Sequence, residues 1–310
     1  MLKNKLKTGL LLGLLLCGTV PAALAVDSAS VEFLPIATSA HSRPADARRQ
    51  GALFRVRRDG QVGYLFGTIH VGAKSFYPLA PEVSQALADA DTLVLELDTR
   101  ADDAFQKALA RHGSYRQGDH VAQHIGADTL ARLTSALHAL GITLASVGHL
   151  KPWLLANMLM ALELERHGFE RAHGNEFFLL DDAQSRGTRV AELESADYQL
   201  SLFDTLSDAD AERYLRESLA DLADGTSLRR AKATIAAWNS GDVAALDALI
   251  PEAVKGGSVM ASFTRSMLLG KRNPEMAARI ESLMQGNKTT FVAPRYTQLD
   301  SKPISRRVLI

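Results

Sequence analysis

The 310-residue sequence predicts an α/β fold, a mixed central sheet flanked by helices, with a helical insertion in the middle. Three observations predict it. Short β-rich apolar runs recur at 53–57, 62–66, 92–98, 188–193 and 289–293. Stretches with apolar residues at helical spacing lie between most of them. Several runs also end in a histidine or a carboxylate, where open α/β sheets keep their ligand sites.

Lys3, Lys5 and Lys7 form a basic start, Leu10 to Val20 an apolar core, and Ala23-Leu24-Ala25 a small-x-small cleavage pattern. Residues 1–25 therefore read as a signal peptide. The apolar run is short and meets Pro21, unlike a membrane-spanning helix, so none is expected in the mature chain. Cys17 is the sole cysteine and would leave with this segment. A lipoprotein signal needs a small residue where Leu16 stands. A mature chain without cysteine forms no disulfide even in an oxidising compartment. The expected location is the periplasm, with secretion second. Residues 26–50, rich in Ala, Ser, Asp and Arg, read as a loosely ordered leader.

Order is expected from Leu53, with Asp59-Gly60 turning the first run into Val62–Phe66 as a hairpin. Pro81 suits a first helical position, and Val83, Ala86, Leu87 and Ala90 share one face. Thr92 to Asp98 reads as a strand that ends in Glu96 and Asp98. From there to about residue 186 the pattern is helical, and Lys151 to Arg166 is apolar nearly all round, as in a buried helix. Thr188 to Leu193 is a short strand followed by Glu194. Ser207 with Asp210 makes a capping box closed by Gly225. Asn273-Pro274 starts a helix that presents Met276, Ile280, Leu283 and Met284 inward and ends at Gly286. Thr289 to Ala293 is the last strand, and residues 294–310 form an atypical polar tail.

Hydrophobic residues make up 46% and charged residues 23%, the composition of an ordinary globular protein. Formal net charge is zero. No basic stripe or nucleic-acid motif occurs, so no nucleic-acid partner is expected. A P-loop, a dinucleotide fingerprint and a Gly-x-Ser-x-Gly elbow are also absent. The partner left to expect is a peptide or small-molecule substrate.

The chemistry-bearing candidates are His70, Glu96, Glu176, Glu194 and Arg272. His70 follows Tyr64-Leu65-Phe66-Gly67-Thr68-Ile69, an apolar strand running into glycine. One imidazole with carboxylates is a first-row metal set, suited to Mn, Co or Zn. Each candidate also has a plainer reading: a turn histidine, solvated strand-end acids, a helix-start glutamate, a cation near a helix start. His120 and His124 have the spacing of a helical metal pair, and a solvated helix face explains them as well. Trp238 reads as core.

The order of segments resembles the TraB/GumN family, related to the Tiki-type metalloproteases, and is closest to its GumN branch. The resemblance rests on Leu65-Phe66-Gly67-Thr68-Ile69-His70-Val71-Gly72, Tyr77-Pro78-Leu79 and Leu93-Val94-Leu95-Glu96-Leu97-Asp98. It continues through Lys151-Pro152-Trp153, Gly174-Asn175-Glu176, Leu193-Glu194, Gln199-Leu200, Ala237-Trp238 with Gly241-Asp242, and Arg272-Asn273. It spans residues 51–293 and implies a metal-dependent hydrolase or peptidase-like fold. On the family pattern His70 is a metal ligand or catalytic imidazole, Glu96 a ligand or general base, and Glu176 a further ligand. Arg272 would orient a substrate carboxylate or stabilise developing negative charge. The implied cofactor is a divalent Mn, Co or Zn ion.

The family carries a second Gly-x-x-His after its last strand, where this chain reads Pro294-Arg295-Tyr296-Thr297-Gln298-Leu299-Asp300. A shifted reading frame would produce such an abrupt change. All nine histidines lie at or before His173, so no later imidazole replaces the missing one. Two functions therefore stand side by side: a hydrolase of peptide or other amide or ester bonds, and a non-catalytic periplasmic binding or regulatory protein. The GumN branch adds a link to envelope polysaccharide production.

Overall fold

Six strands form a single mixed sheet in the computed structural model, in the order β1-β2-β3-β6-β4-β5. They are β1 (Glu32–Pro35), β2 (Leu53–Arg58), β3 (Gln61–Phe66), β4 (Thr92–Leu95), β5 (Arg189–Glu192) and β6 (Thr290–Ala293). The structure describes residues 32–35, 50–58, 61–98, 102–285 and 288–295. The signal segment with Cys17, the Asp59-Gly60 turn, Gly286 and the tail from residue 296 lie outside the described residues.

β1, β2 and β3 pair antiparallel, as a hairpin with one added edge strand. β3, β6, β4 and β5 are all parallel. The mixed sheet is therefore as the sequence predicts, with one addition. The segment read as a loosely ordered leader contains β1. Glu32 to Pro35 pairs with residues 54 to 57 and covers an edge that β2 would otherwise leave open.

β6 enters between β3 and β4, so the strand that is late in sequence is central in space. β4 and β6 are buried along their whole lengths. This is why they read as unbroken apolar runs rather than alternating ones. The parallel register has a direct consequence. β3, β6, β4 and β5 all point their carboxyl ends to the same edge of the sheet, and each is followed within a few residues by a charged or titratable side chain: His70, Arg295, Glu96 and Glu194.

Helices pack on and beside this sheet. They include α1 (Pro81–Ala88), α2 (Asp102–Gly113), α3 (Ala127–Ala139), α4 (Leu144–Val147), α5 (Pro152–Arg166) and α6 (Asn175–Arg186). After β5 come α7 (Ala196–Ser201), α8 (Asp208–Ala223), α9 (Thr226–Ser240), α10 (Val243–Val254), α11 (Val259–Phe263) and α12 (Asn273–Met284). The Ser207 hydroxyl accepts from the Asp210 amide at the start of α8. Gly225, at φ 73°, ends that helix in the left-handed region that glycine adopts most cheaply.

Two cores result. One joins the sheet to α1, α6, α9 and α12 and holds Phe66, Leu93, Phe291, Trp238 and Ile280. The other is the helical insertion, with Leu133, Trp153, Phe203 and Leu215 at its centre. α5 serves both: Ala161 and Leu164 belong to the sheet core, and Trp153, Leu155 and Met158 to the helical one. That double duty is the reason for its apolar circumference. Trp238 is a core residue, fully buried, and donates its indole N–H to the Gly67 carbonyl at 2.8 Å.

Two local readings change. His120 and His124 flank a single 3₁₀ turn, Val121–Gln123, instead of sharing an α-helix face. Gly118, at φ 89°, breaks the helical path just before them. His124 bonds Asp119 at 2.8 Å and stacks on Tyr115. The helix expected to begin at Asn273-Pro274 continues instead from a π-helical segment, Thr264–Arg272, which joins α11 to α12 without a break. Pro274 falls where the π-helical path changes to the α-helix of α12. No helix among the described residues is long and apolar enough to cross a membrane.

Candidate functional site

The site lies at the carboxyl edge of the parallel strands and has two halves. In the first, His70 leaves the end of β3 and meets Glu176, in the first turn of α6: Nδ1 of the imidazole abuts Oε1 of the carboxylate. Glu176 is nearly buried, with 9% of its side chain exposed, whereas His70 keeps 22%. The imidazole is thus the member of the pair that solvent reaches. Thr68, fully buried, lies between the halves. Its hydroxyl is 3.2 Å from the Pro294 carbonyl and 3.5 Å from Oε1 of Glu176.

The backbone around this pair is interlocked. Asn175 accepts the Ile69 N–H on its side-chain oxygen at 2.8 Å and returns its own N–H to the Ile69 carbonyl at 3.1 Å. Gly72 and Glu170 exchange both main-chain hydrogen bonds, at 3.0 and 2.8 Å. Contact is so close that a Cβ on Gly72 would stand 2.1 Å from the His173 oxygen. A Cβ on Gly174 would stand 2.5 Å from that of His70.

The second half is ionic. Arg272, the last residue of the π-helical segment, is 2% exposed. Its Nη2 donates to Glu96 Oε2 at 2.7 Å. Its Nε lies 3.0 and 2.9 Å from the two oxygens of Glu194, which Nη2 also contacts. Gln199 adds a donor to Glu194 at 2.8 Å. The other oxygen of Glu96 accepts the Arg295 main-chain N–H at 2.7 Å.

Burial raises the pKa of Glu96, but Arg272, Arg295 and His70 with the Arg295 N–H overcome it, holding the group at about 2. Glu194 moves the other way. Burial dominates there, Arg272 opposes it, and the Glu96 charge adds to it, so its carboxyl is raised. The two acids that share one guanidinium are therefore shifted in opposite directions. Arg272 itself, against the cost of burial, is held more firmly cationic by Glu96 and Glu194.

All five strand-end and helix-start candidates, His70, Glu96, Glu176, Glu194 and Arg272, therefore fall at one edge. His70 pairs with Glu176, and Glu96 pairs with Arg272. The resemblance gives Arg272 a substrate carboxylate or an oxyanion. In the structure its partners are two carboxylates of the chain itself, which makes it the cation that holds Glu96. Sequence reading missed Arg295, placed in the atypical tail. It is 5% exposed and forms a parallel bridge with Thr68. Its one signal was its place directly after a buried parallel strand, the place that His70, Glu96 and Glu194 also occupy.

For a divalent metal the donor chemistry fits. One imidazole and two carboxylates suit Mn, Co or Zn, and a carboxylate oxygen keeps a second lone pair beyond the bond it accepts. His70 and Glu176 are the two that already converge. Glu96 is held by donors of the kind that orient ligating carboxylates. Among the described residues no group of three His, Cys, Asp or Glu side chains is gathered tightly enough to hold an ion.

A sheet with a His–Glu pair and a buried Glu–Arg–Glu cluster at one end defines an α/β protein with a strand-end polar site. Residues 52–293 match the TraB/PrgY/gumN family, and the chain belongs to it. It is also similar to the uncharacterized protein YbaP of Escherichia coli K12, 25% identical over 145 residues, 47% of this chain and 53% of YbaP. YbaP of Shigella flexneri matches to the same extent. The chain thus covers about half the length of these relatives. No solved structure matches it.

Proposed function

We propose that this chain is an exported, periplasmic hydrolase of the TraB/GumN type, cleaving peptide or other amide or ester bonds with a bound Mn, Co or Zn ion. The observation that carries the reading is the His70–Glu176 pair, solvent-accessible at the imidazole, beside a carboxylate that is held ionised. The metal would be held by His70 and Glu176, with Glu96 as the third group, and would supply an activated water and a Lewis acid. The chain's own residues do the rest. Glu176 fixes the imidazole, and Thr68 helps to fix Glu176. Glu96, with its pKa near 2, is too weak a base to take a proton at neutral pH, so it serves as an anionic anchor. Arg272 and the Arg295 N–H keep it in place.

A second reading is a binding protein without chemistry. It is favoured by the mutual pairing and burial of Glu96, Glu194 and Arg272, which leaves the His70 edge as the open part of the set. A thermal-shift titration with Mn²⁺, Co²⁺ and Zn²⁺ separates the readings, run beside His70→Ala and followed by hydrolysis assays on peptide and ester substrates. A ligand that binds only the folded state raises the melting point. A metal-specific rise and a hydrolytic rate, both lost in His70→Ala, support the hydrolase. A folded protein with neither supports the binding protein.

A further inference from the structure

The geometry points to Asn175 and Tyr77 as positioning residues that set the His70 imidazole against Glu176. The inference deepens the proposed function and rests on that pair being its working part. Asn175 is fully buried, and a buried amide is costly unless its donors and acceptors are met. Its side chain meets them on both sides of His70. Oδ1 takes the N–H of Ile69, the residue before His70, at 2.8 Å. Nδ2 donates at 3.2 Å to the hydroxyl of Tyr77, from the loop that follows. The Tyr77 hydroxyl in turn donates to the His173 carbonyl at 2.9 Å. The chain of bonds therefore leaves the segment that carries His70 and ends two residues before Asn175.

That ring closes around the backbone and leaves the imidazole outside it. The bonds of Asn175 and Tyr77 reach the main chain of Ile69 and His173, so each acts through the main chain. Asn175 is also the residue before Glu176, and its N–H bond to the Ile69 carbonyl is part of the same clasp. One residue, through its side chain and its main-chain N–H, thereby fixes the origins of both members of the pair. Tyr77 is itself braced, stacked on Phe178 with ring centroids 4.5 Å apart and planes 18° from parallel. Burial keeps its phenol protonated far above the usual range, so it remains a donor at all working pH values. Gly72 and Gly174 supply the close approach that the clasp needs. The sum is a frame in which the backbone positions of His70 and Glu176 are set by the same bonds.

The test uses the full chain with ¹³C-labelled histidine, free of metal, and follows the His70 imidazole C–H resonance, assigned with His70→Gln. The reading is taken in Asn175→Ala, in Asn175→Asp, which keeps the acceptor for Ile69 and loses the donor to Tyr77, and in Tyr77→Phe. Near-ultraviolet circular dichroism checks that each is folded. The expected result is one sharp resonance in the parent and a graded displacement and broadening, largest for Asn175→Ala and smallest for Tyr77→Phe. Asn175→Asp, as the conservative variant, restores part of the parent signal. A purely structural role would lower the melting temperature and leave the resonance of the folded protein where it was, and that result overturns the inference. If Asn175→Ala fails to fold, the other two variants decide by the same criterion. The signal reports geometry in the resting protein, so absence of hydrolysis would count against the proposed function and leave this reading standing.

Discussion

His70 and Glu176 are held by main-chain bonds between segments that clasp each other, whereas Glu96, Glu194 and Arg272 are held by charge across distant parts of the chain. The first arrangement is short-ranged and steric, and it tolerates no added volume. The second depends on the charges of its members. A buried cluster of this kind is neutralised only while all its members are present, and loss of one leaves the others as uncompensated buried charges. The difference teaches which perturbations each half will feel.

The largest effect is expected from Arg272→Met, which strands two buried carboxylates. It should cost about 3–5 kcal/mol in urea unfolding. Arg272→Lys should recover part of this, because an ammonium restores charge without the two-pronged geometry. If Arg272→Met were neutral, the cluster would not be the anchor argued here.

Gly72→Ala attacks the other half. Its Cβ would stand 2.1 Å from the His173 oxygen, main chain that cannot swing aside. A cost of up to about 3 kcal/mol is expected, typical of overpacking, with the acid response of the ionic half preserved. Urea titrations at two pH values check both statements together.

Glu96→Gln sharpens the comparison through pH. A group whose folded pKa, about 2, lies below its ordinary 4.5 contributes stability that is fully present above the ordinary value. That contribution is lost as pH falls through the folded one. The parent should therefore weaken between about pH 5 and pH 2, and Glu96→Gln should flatten that decline at a cost of about 2 kcal/mol at pH 7. Glu194, with its pKa raised, works oppositely: its contribution is present at low pH and fades as pH rises through its folded value. Glu194→Gln should remove that fading, so the two variants should bend the stability profile in opposite directions.

Thr68→Val is the gentlest probe. It removes a hydroxyl poised between Pro294 and Glu176, the point where the halves touch. About 1 kcal/mol is expected from denaturant midpoints.

The apolar runs of β4 and β6 and the buried character of α5 were legible because burial on both faces or all round leaves a composition signature. His70, Glu96 and Glu194 were legible as strand-end residues. What escaped was pairing. Arg295 and Glu96 lie 199 residues apart, and only the parallel register of β6 beside β4 makes them neighbours. The same holds for His112 of α2, whose two ring nitrogens face Asp204 at 2.5 Å and Asp197 at 3.0 Å. The π-helical path to Arg272 has no sequence signature at all, and β1 hid in a segment that read as a loosely ordered leader.

The central position of β6 also governs how the molecule is made. Thr289 bonds Asp91 across 198 residues, so β3 and β4 wait for most of the chain to be synthesised before the strand between them exists. At roughly 5–20 residues per second that interval is about 10–40 s. Until β6 is present, neither β3 nor β4 has the partner that the finished sheet places between them. Contacts this distant in sequence are the kind that slow folding, so the sheet is expected to close late.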